Sequence, residues 1–393
     1  MKNKEVLIIT NLIYPDSTDG SRYTYDLAKI FSENGYNVTL ITSRFKKELK
    51  KEEIIDKIAV HRYFVIVGNP VITYLTNSVS SYFIIKKILK KTDPSLVIIT
   101  GILPGFSYLL LKNSKHRLNV SICNTLLHSE KLTNQADKKW FQYKLFNHLK
   151  RIYESYVFSR VAKIIAISKN IENAILSDYP FAKEKVSVVE PGVDITTFII
   201  GNKNNLRKKI YPNKTVFLFV GRFQPIKGPD IAINFAMEMK QKYDQNNFVL
   251  LMIGTGPMEN ELNMQIAQNN LNDVVKILGV KYNRDLVELY QRADYLILSS
   301  RSETFSLVIL ESLSCGTPII STPTQGPKEI IGELTEQFIA KGFTGKELLD
   351  VAERMMNCDK IKYDELSKKG RCLVENKFSL DYMLKRLIEV IPL

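Results

Sequence analysis

Tyr295-Leu296-Ile297-Leu298-Ser299-Ser300-Arg301-Ser302-Glu303-Thr304-Phe305-Ser306-Leu307-Val308-Ile309-Leu310-Glu311 reads as an apolar strand, a short polar loop and the opening of a helix. The strand Tyr295–Leu298 is too apolar to have a solvated face, as expected of a strand in a parallel sheet covered on both sides. A helix is expected to begin near Phe305 or Ser306, which puts Glu303 on the loop above the strand end and Glu311 two turns into the helix. The first amides of such a helix have no intrahelical partner and, with the helix dipole, form an anion site. Carboxylates beside it suit sugar hydroxyls, which donate strongly to charged acceptors. Alone, the two glutamates mean little and fit better a helix start stabilised by an acidic residue, with Glu311 exposed.

Outward from this stretch the same alternation runs along the chain. Candidate strands are Val6–Ile9, Val38–Thr42, Ala59–Val65, Leu96–Thr100, Val120–Cys123, Ile164–Ile167 and Val186–Val189, then Val216–Val220, Phe248–Ile253, Val274–Leu278 and Pro318–Ser321. Amphipathic stretches such as Tyr23–Glu33, Ile231–Lys240 and Asp285–Arg292 lie between them. Strands alternating with helices predict an α/β fold with parallel sheets. At 393 residues the chain suits two domains of about 150–200 residues each. The break is expected after Pro191-Gly192-Val193-Asp194, with a polar linker over Gly201–Lys214. This gives an N-terminal domain 1–196, a C-terminal domain 197–378, and a final helix, 379–393, that can pack on either. Ligands of such sheets bind outside the strand carboxyl ends, so the site is expected in a cleft between two doubly wound, Rossmann-like domains.

Composition narrows the class. Hydrophobic residues are 45% of the chain, which is globular rather than disordered. No apolar run reaches the ~18 residues of a spanning helix, and Val6–Ile9 is too short for a signal-peptide core, so a cytoplasmic protein is expected. The four cysteines form no CxxC or CxxH pair, which points to neither a zinc site nor a disulfide framework. Net charge is +14 and uneven: residues 1–195 hold 29 Lys+Arg against 18 Asp+Glu, the remainder 26 against 23. A basic N-terminal half fits an anionic membrane surface, a phosphate-bearing acceptor or nucleic acid, or else solvated lysines with no partner.

Cations supply the context that the glutamates lack. Arg222 and Lys227 follow the strand Val216–Val220 within Val220-Gly221-Arg222-Phe223-Gln224-Pro225-Ile226-Lys227-Gly228, placed to neutralise phosphates. Gly254-Thr255-Gly256-Pro257 follows the next strand and opens a helix, and its glycines let backbone approach a ligand. With AIS at 166–168, PGVD at 191–194 and the segment from Ser302 to Pro318 that ends in ESLSCGTP, the chain resembles glycosyltransferase family 4, the retaining enzymes of the GT-B fold.

The resemblance implies roles. Glu311 would hold the ribose hydroxyls of a nucleoside-diphosphate sugar, Arg222 and Lys227 its diphosphate, and Glu303 the donor sugar. Gly254 and backbone at Thr304, Phe305, Ser306 and Leu307 would complete the donor site, without a metal or other cofactor. Where the family commonly has Gly-Phe-Gly, this chain has Thr304-Phe305-Ser306, which puts donor-sugar preference in doubt. His128, after the strand Val120–Cys123, resembles the family's cleft histidine. After the first strand the family usually has a glycine pair. Here Asp19-Gly20 precedes Ser21 and Arg22, so Gly20 would approach donor phosphate or acceptor. Ser21 and Arg22 would face the acceptor, although Arg22 also fits a solvated side chain. The catalytic set is thus Glu303, Arg222, Lys227 and His128.

The stretch Lys138–Arg160 mixes aromatics with lysines at helical spacing and fits either a membrane-surface helix or an ordinary covering helix. The implied reaction moves a hexose-type unit with retention, through an oxocarbenium-like state in which the departing phosphate takes the acceptor's proton. UDP-sugar is the first expectation for the donor and GDP-sugar the second. The expected acceptor is a glycan or lipid-linked glycan in cell-surface polysaccharide assembly (capsule, lipopolysaccharide or exopolysaccharide), with the enzyme peripheral on the inner face of the membrane. A nucleotide-sugar epimerase or hydrolase on the same fold is the alternative. Nucleic-acid binding is not expected, because no RNP, zinc-finger or helix-turn-helix pattern is present.

Overall fold

The computed structural model describes residues 4–13, 21–124, 140–201, 211–244, 247–332 and 334–391. The chain forms two compact units: Met1–Pro191 with Leu380–Leu393, and Gly192–Ser379.

Unit 1 is built on an eight-stranded sheet. Its strands are β1 (Glu5–Ile9), β2 (Asn37–Arg44), β3 (Glu52–Ile55), β4 (Ile58–Phe64), β5 (Leu96–Ile99), β6 (Leu118–Cys123), β7 (Lys163–Ala166) and β8 (Val186–Val188), in the order β3-β4-β2-β1-β5-β6-β7-β8. Helices α1 (Ser21–Glu33), α2 (Pro70–Ile88), α3 (Ile102–Leu109), α4 (Trp140–Arg160) and α5 (Lys169–Asp178) connect them. All pairings are parallel except β3 with β4. That hairpin departs from the uniformly parallel sheet expected from sequence. Its turn places Asp56 and Lys57 at φ 47° and 66°, the left-handed pair of a tight hairpin turn. The charged Glu52 and Glu53 hid a strand that needs only one partner, at the sheet edge.

Unit 2 carries a five-stranded, wholly parallel sheet: β9 (Thr215–Val220), β10 (Phe248–Ile253), β11 (Val275–Ile277), β12 (Tyr295–Leu298) and β13 (Ile319–Ser321), in the order β11-β10-β9-β12-β13. Its helices are α6 (Pro229–Lys242), α7 (Glu259–Gln268), α8 (Asn283–Arg292), α9 (Leu307–Ser314), α10 (Gln325–Ile331), α11 (Gly345–Met356) and α12 (Lys360–Lys377). Every residue of β10 and β12 is buried, as near-continuous apolar strands between helical layers must be. The last helix, α13 (Leu380–Val390), belongs to unit 1 and lies against α1.

The units divide at 191/192 and 379/380, where the sequence reading put 196/197 and 378/379. Backbone ties explain the position. The Val193 amide donates to Phe378 O at 2.8 Å, and Arg371 donates to Ile195 O at 3.0 Å and to Ser314 O at 2.9 Å. Asp194 closes this turn by accepting from the amides and hydroxyls of Thr196 and Thr197. Burial pushes its carboxyl up, but those four bonds together outweigh burial and hold it at about 2. A folded-state value below the unfolded one stabilises above pH ~4 and is lost as pH falls towards 2. The thermal midpoint of Asp194→Ala should therefore lie below wild type at pH 7 and converge on it between pH 4 and 2. A gap that stays constant across that window would rule out this role for the carboxylate.

The described part of Lys138–Arg160 is a covering helix of unit 1. Glu154 of α4 is fully buried and accepts from Tyr179 OH at 2.7 Å, and Phe106 packs on Tyr153 and Tyr156 at 4.5 and 4.7 Å between ring centroids. The residues before α4 lie outside the described set, as do the side chains of 140–147.

Candidate functional site

Strand order in unit 2 reverses between β9 and β12: the chain leaves β9 towards β10 and β11 on one side, then returns to β12 and β13 on the other. Loops after two such neighbours leave the same end of the sheet in opposite directions and frame a crevice, the usual ligand position in open α/β sheets. Arg222 and Lys227 follow β9; Glu303 follows β12. Sheet order therefore brings together side chains that are 76 residues apart, and Lys227 Nζ donates to Glu303 Oε2 at 2.8 Å and to Oε1 at 3.0 Å.

Both partners are held by their own loops. Lys227 ends a short 3-10 turn, Pro225–Lys227, closed by Gly228 at φ 60°, ψ 41°. Gly228 is required twice over: a Cβ there would stand 2.0 Å from Ser299 O, and Ser299 Oγ donates back to Gly228 O at 2.7 Å. Arg301 ties the loops further. Its amide donates to Ile226 O at 2.8 Å, and its guanidinium to Pro225 O at 2.7 Å and to Asp230. Glu303, with its side chain one-tenth exposed, also accepts from Ser300 Oγ at 3.0 Å. Charged acceptor and donor are thus held in place by their own loops, with the lysine side chain one-third exposed.

The helix after Glu303 begins at Leu307, one or two residues later than expected, with Ser306 extended as its N-cap. Ser306 makes no capping bond through its side chain, so the first-turn amides keep donor capacity. Glu311 falls in the second turn, closer to the helix start than the sequence reading placed it. It is buried rather than exposed, and its Oε2 accepts from Tyr290 OH of α8 at 2.8 Å. The Thr304–Phe305 backbone is also constrained: a Cβ on Gly326 would stand 2.5 Å from Phe305 O, while the Phe305 ring is buried near Phe378.

The glycine turn after β10 docks on the Arg222 loop. Gly221 N–H donates to Ile253 O at 3.0 Å, Phe223 N–H to Thr255 O at 2.9 Å, and Met258 N–H to Phe223 O at 3.1 Å. Gly254 adopts φ 147°, and a Cβ there would stand 1.9 Å from Gly221 O. The expected helix does not open at this turn but at Glu259. Gly254→Ala is expected to cost about 3 kcal/mol through combined clash and backbone strain. For a unit of this size the midpoint should drop by roughly 6–12 °C in calorimetry. A drop under about 2 °C would mean that the loops relax freely.

In unit 1 the corresponding reversal lies between β1 and β5. There Thr24 Oγ1 meets Thr100 Oγ1 at 3.2 Å, and a Cβ on Gly101 would stand 2.7 Å from Asn11 N. Arg22, in the first turn of α1, pairs with the buried Asp26 at 3.4 Å. Gly20 and His128 lie outside the described residues, as does the side chain of Ser21. The histidines given no role include His61, whose Nδ1 lies 3.5 Å from Glu52.

Tyr290, Ser300, Arg301 and Asp230 were missed in the sequence. Only Arg301, beside Glu303 on a strand-end loop, carried a usable signal; the others depend on which elements become neighbours.

Two doubly wound sheets in one chain, one with a lysine–glutamate pair at its strand-order reversal and a carboxylate-bearing helix beside it, define a protein of the GT-B class. The chain belongs to glycosyltransferase family 4, group 1: residues 202–372 match the family described as glycosyl transferases group 1, and residues 20–197 match Glycosyltransferase Family 4. It is similar to the D-inositol 3-phosphate glycosyltransferase of Pseudarthrobacter chlorophenolicus, 26% identical over 52% of this chain and 50% of the relative. The protein of that name from Mycobacterium sp. strain KMS is 30% identical over 45% and 41%. The chain thus spans about half the length of the curated relatives it matches, or less. In fold it is similar to sucrose-phosphate synthase from Thermosynechococcus elongatus (TM-score 0.82, 16% identity, 98% of each chain covered). It is also similar to Anabaena HepE in complex with UDP and glucose (TM-score 0.75, 18% identity, 98% of each).

Proposed function

We propose that this protein is a retaining glycosyltransferase that moves a hexose-type sugar from a nucleoside-diphosphate donor, UDP-sugar before GDP-sugar, to a hydroxyl of a glycan or lipid-linked glycan in cell-surface polysaccharide synthesis. The observation that carries the reading is the Lys227–Glu303 pair, set by two mutually laced loops at the β9/β12 reversal. An ammonium on a strand-end loop and the N-terminus of α9, which opens four residues after Glu303, each suit the charge that develops on a departing diphosphate. Glu303, already oriented by Lys227 and Ser300, suits sugar hydroxyls, and Glu311 suits the ribose. Arg222 adds a second cation on the same loop as Lys227. In this reading the protein positions donor and acceptor and steadies the leaving group, and needs neither a dedicated base nor a metal. The UDP-bound neighbour of like fold supports the choice of base.

The test is calorimetric titration with UDP and then GDP in EDTA, followed by transfer assays from the corresponding donors to glycan acceptors. The product anomer is read by NMR. Binding of one nucleotide and a product that keeps the donor's anomeric configuration are expected. An inverted product would overturn the retaining assignment. Rapid, complete turnover of donor without acceptor would favour the epimerase or hydrolase alternative. No binding of either nucleotide would remove the donor-site reading.

A further inference from the structure

Helix α2 of unit 1 is apolar on two faces. Its inward face carries the buried Ile85 and Ile88 together with Ser81, which is fully buried, and Asn77, which accepts from Tyr63 OH at 3.2 Å. Its outward face carries Val71, Leu75, Val79 and Phe83, one residue per turn, each between 55% and 64% exposed. An ordinary surface helix buries one apolar stripe and keeps the opposite face polar, so the outward stripe is not needed to hold α2 to the core. Beside this stripe lie Ile72 and the exposed Ile66 and Val67 of the preceding segment, which Thr73 and Thr76 fasten to the helix by bonds to Ile66 O and from Ile66 N–H. Such a contiguous apolar patch marks an interaction site.

The stripe does not stay apolar. One turn beyond Phe83 the same exposed side continues as Lys86 and Lys87, and then Lys90 and Lys91. Lys86 lies over the Tyr82 ring, and Lys87 reaches Glu52 at the sheet edge at 3.9 Å. An apolar ridge of about three turns, some 18 Å long, followed by a lysine cluster asks for a partner with an apolar interior and an anionic face.

We infer that α2 docks unit 1 on an anionic lipid bilayer, with Val71, Leu75, Val79 and Phe83 in the headgroup–acyl boundary and Lys86, Lys87 and Lys90 on the lipid phosphates. Charge selects the bilayer over a second copy of the chain. Residues 1–195 carry 29 Lys+Arg against 18 Asp+Glu, so two such surfaces repel each other while a negative leaflet attracts both. A convex ridge also inserts into a fluid surface without needing a groove shaped to receive it. This places the membrane contact on a helix other than the stretch Lys138–Arg160, one that the charge pattern alone did not single out.

The experiment is flotation of the full chain with vesicles of phosphatidylcholine alone and of phosphatidylcholine with about three lipids in ten replaced by phosphatidylglycerol. Wild type should float with the anionic vesicles at low salt and lose binding as salt rises. Leu75→Ser with Phe83→Ser should weaken flotation at least tenfold, with an unchanged thermal midpoint since both side chains are solvent-exposed. Lys86→Glu with Lys90→Glu should abolish the preference for anionic vesicles. Nucleotide titration of each variant, which reads unit 2, should match wild type, so failure of this inference is separable from failure of the donor-site reading. Absence of flotation by wild type, or unchanged flotation of the serine variant, would overturn it. So would a wild-type dimer in sedimentation that Leu75→Ser with Phe83→Ser dissociates, which would assign the ridge to self-association.

Discussion

Lys227→Ala is expected to lower kcat by about 10²–10³-fold, the cost typical of losing one preorganised donor aimed at developing charge. The lysine makes two bonds to Glu303 and is about one-third exposed, so in the proposed reaction it would hold the sugar-side carboxylate and keep a side open to a phosphate. In the proposed reaction its removal would take away a positive charge as the diphosphate leaves, and it would leave Glu303 held by Ser300 without the lysine. The fold should survive, because the turn that carries Lys227 is set by Gly228, Ser299 and Arg301 rather than by the ammonium. Lys227→Arg should recover little: a planar guanidinium cannot reproduce both carboxylate bonds from the same turn and still point its charge at the phosphate. The measurement is steady-state kinetics with the donor varied. If kcat stays within about twofold and only KM rises, Lys227 contributes uniform binding and the transition-state role fails.

The second large effect is expected at Glu311. Glu311→Ala should weaken nucleotide binding by about 10–100-fold, since hydrogen bonds to a charged acceptor contribute about 1.5–3 kcal/mol each. A buried carboxylate is costly unless it is well bonded, and Tyr290 OH supplies one such bond at 2.8 Å. That tyrosine also orients the carboxylate, whose two oxygens together can accept about four hydrogen bonds. Tyr290→Phe is therefore the informative companion. It removes the orienting hydroxyl but keeps the charge, and should cost nucleotide affinity severalfold, well short of the loss at Glu311. Calorimetry on both variants separates the cases. Equal affinity of Glu311→Ala and wild type would show that Glu311 has a structural role alone, and would move the nucleoside pocket elsewhere.

These effects rest on features of unequal visibility in the sequence. Tyr295–Leu298 and Phe248–Ile253 stand in the structure at the bounds read from their apolar runs, because a strand buried on both faces has only one way to be written. Glu52–Ile55 escaped, since an edge strand needs no apolar face and its charges resemble a loop. Gly228 and Gly254 stood out in the sequence as glycines on strand-end loops, but the reason they must be glycine is a carbonyl about 2 Å from where a Cβ would sit, Ser299 O in one case and Gly221 O in the other.

The alternation of apolar runs and amphipathic stretches was enough to dictate two α/β units and to put Arg222, Lys227, Glu303 and Glu311 on strand-end loops and a helix start. Those properties are local: they follow from side-chain periodicity and from where backbone amides lack partners. Pairing was not local. That Lys227 meets Glu303, that Glu311 is buried against Tyr290, and that Arg301 laces its loop to Pro225 and Asp230 all depend on β12 lying beside β9. The outward apolar face of α2 belongs to the same class, because the periodicity of a helix shows that it has two faces, and only packing against α3 and β4 decides which one is left to the solvent.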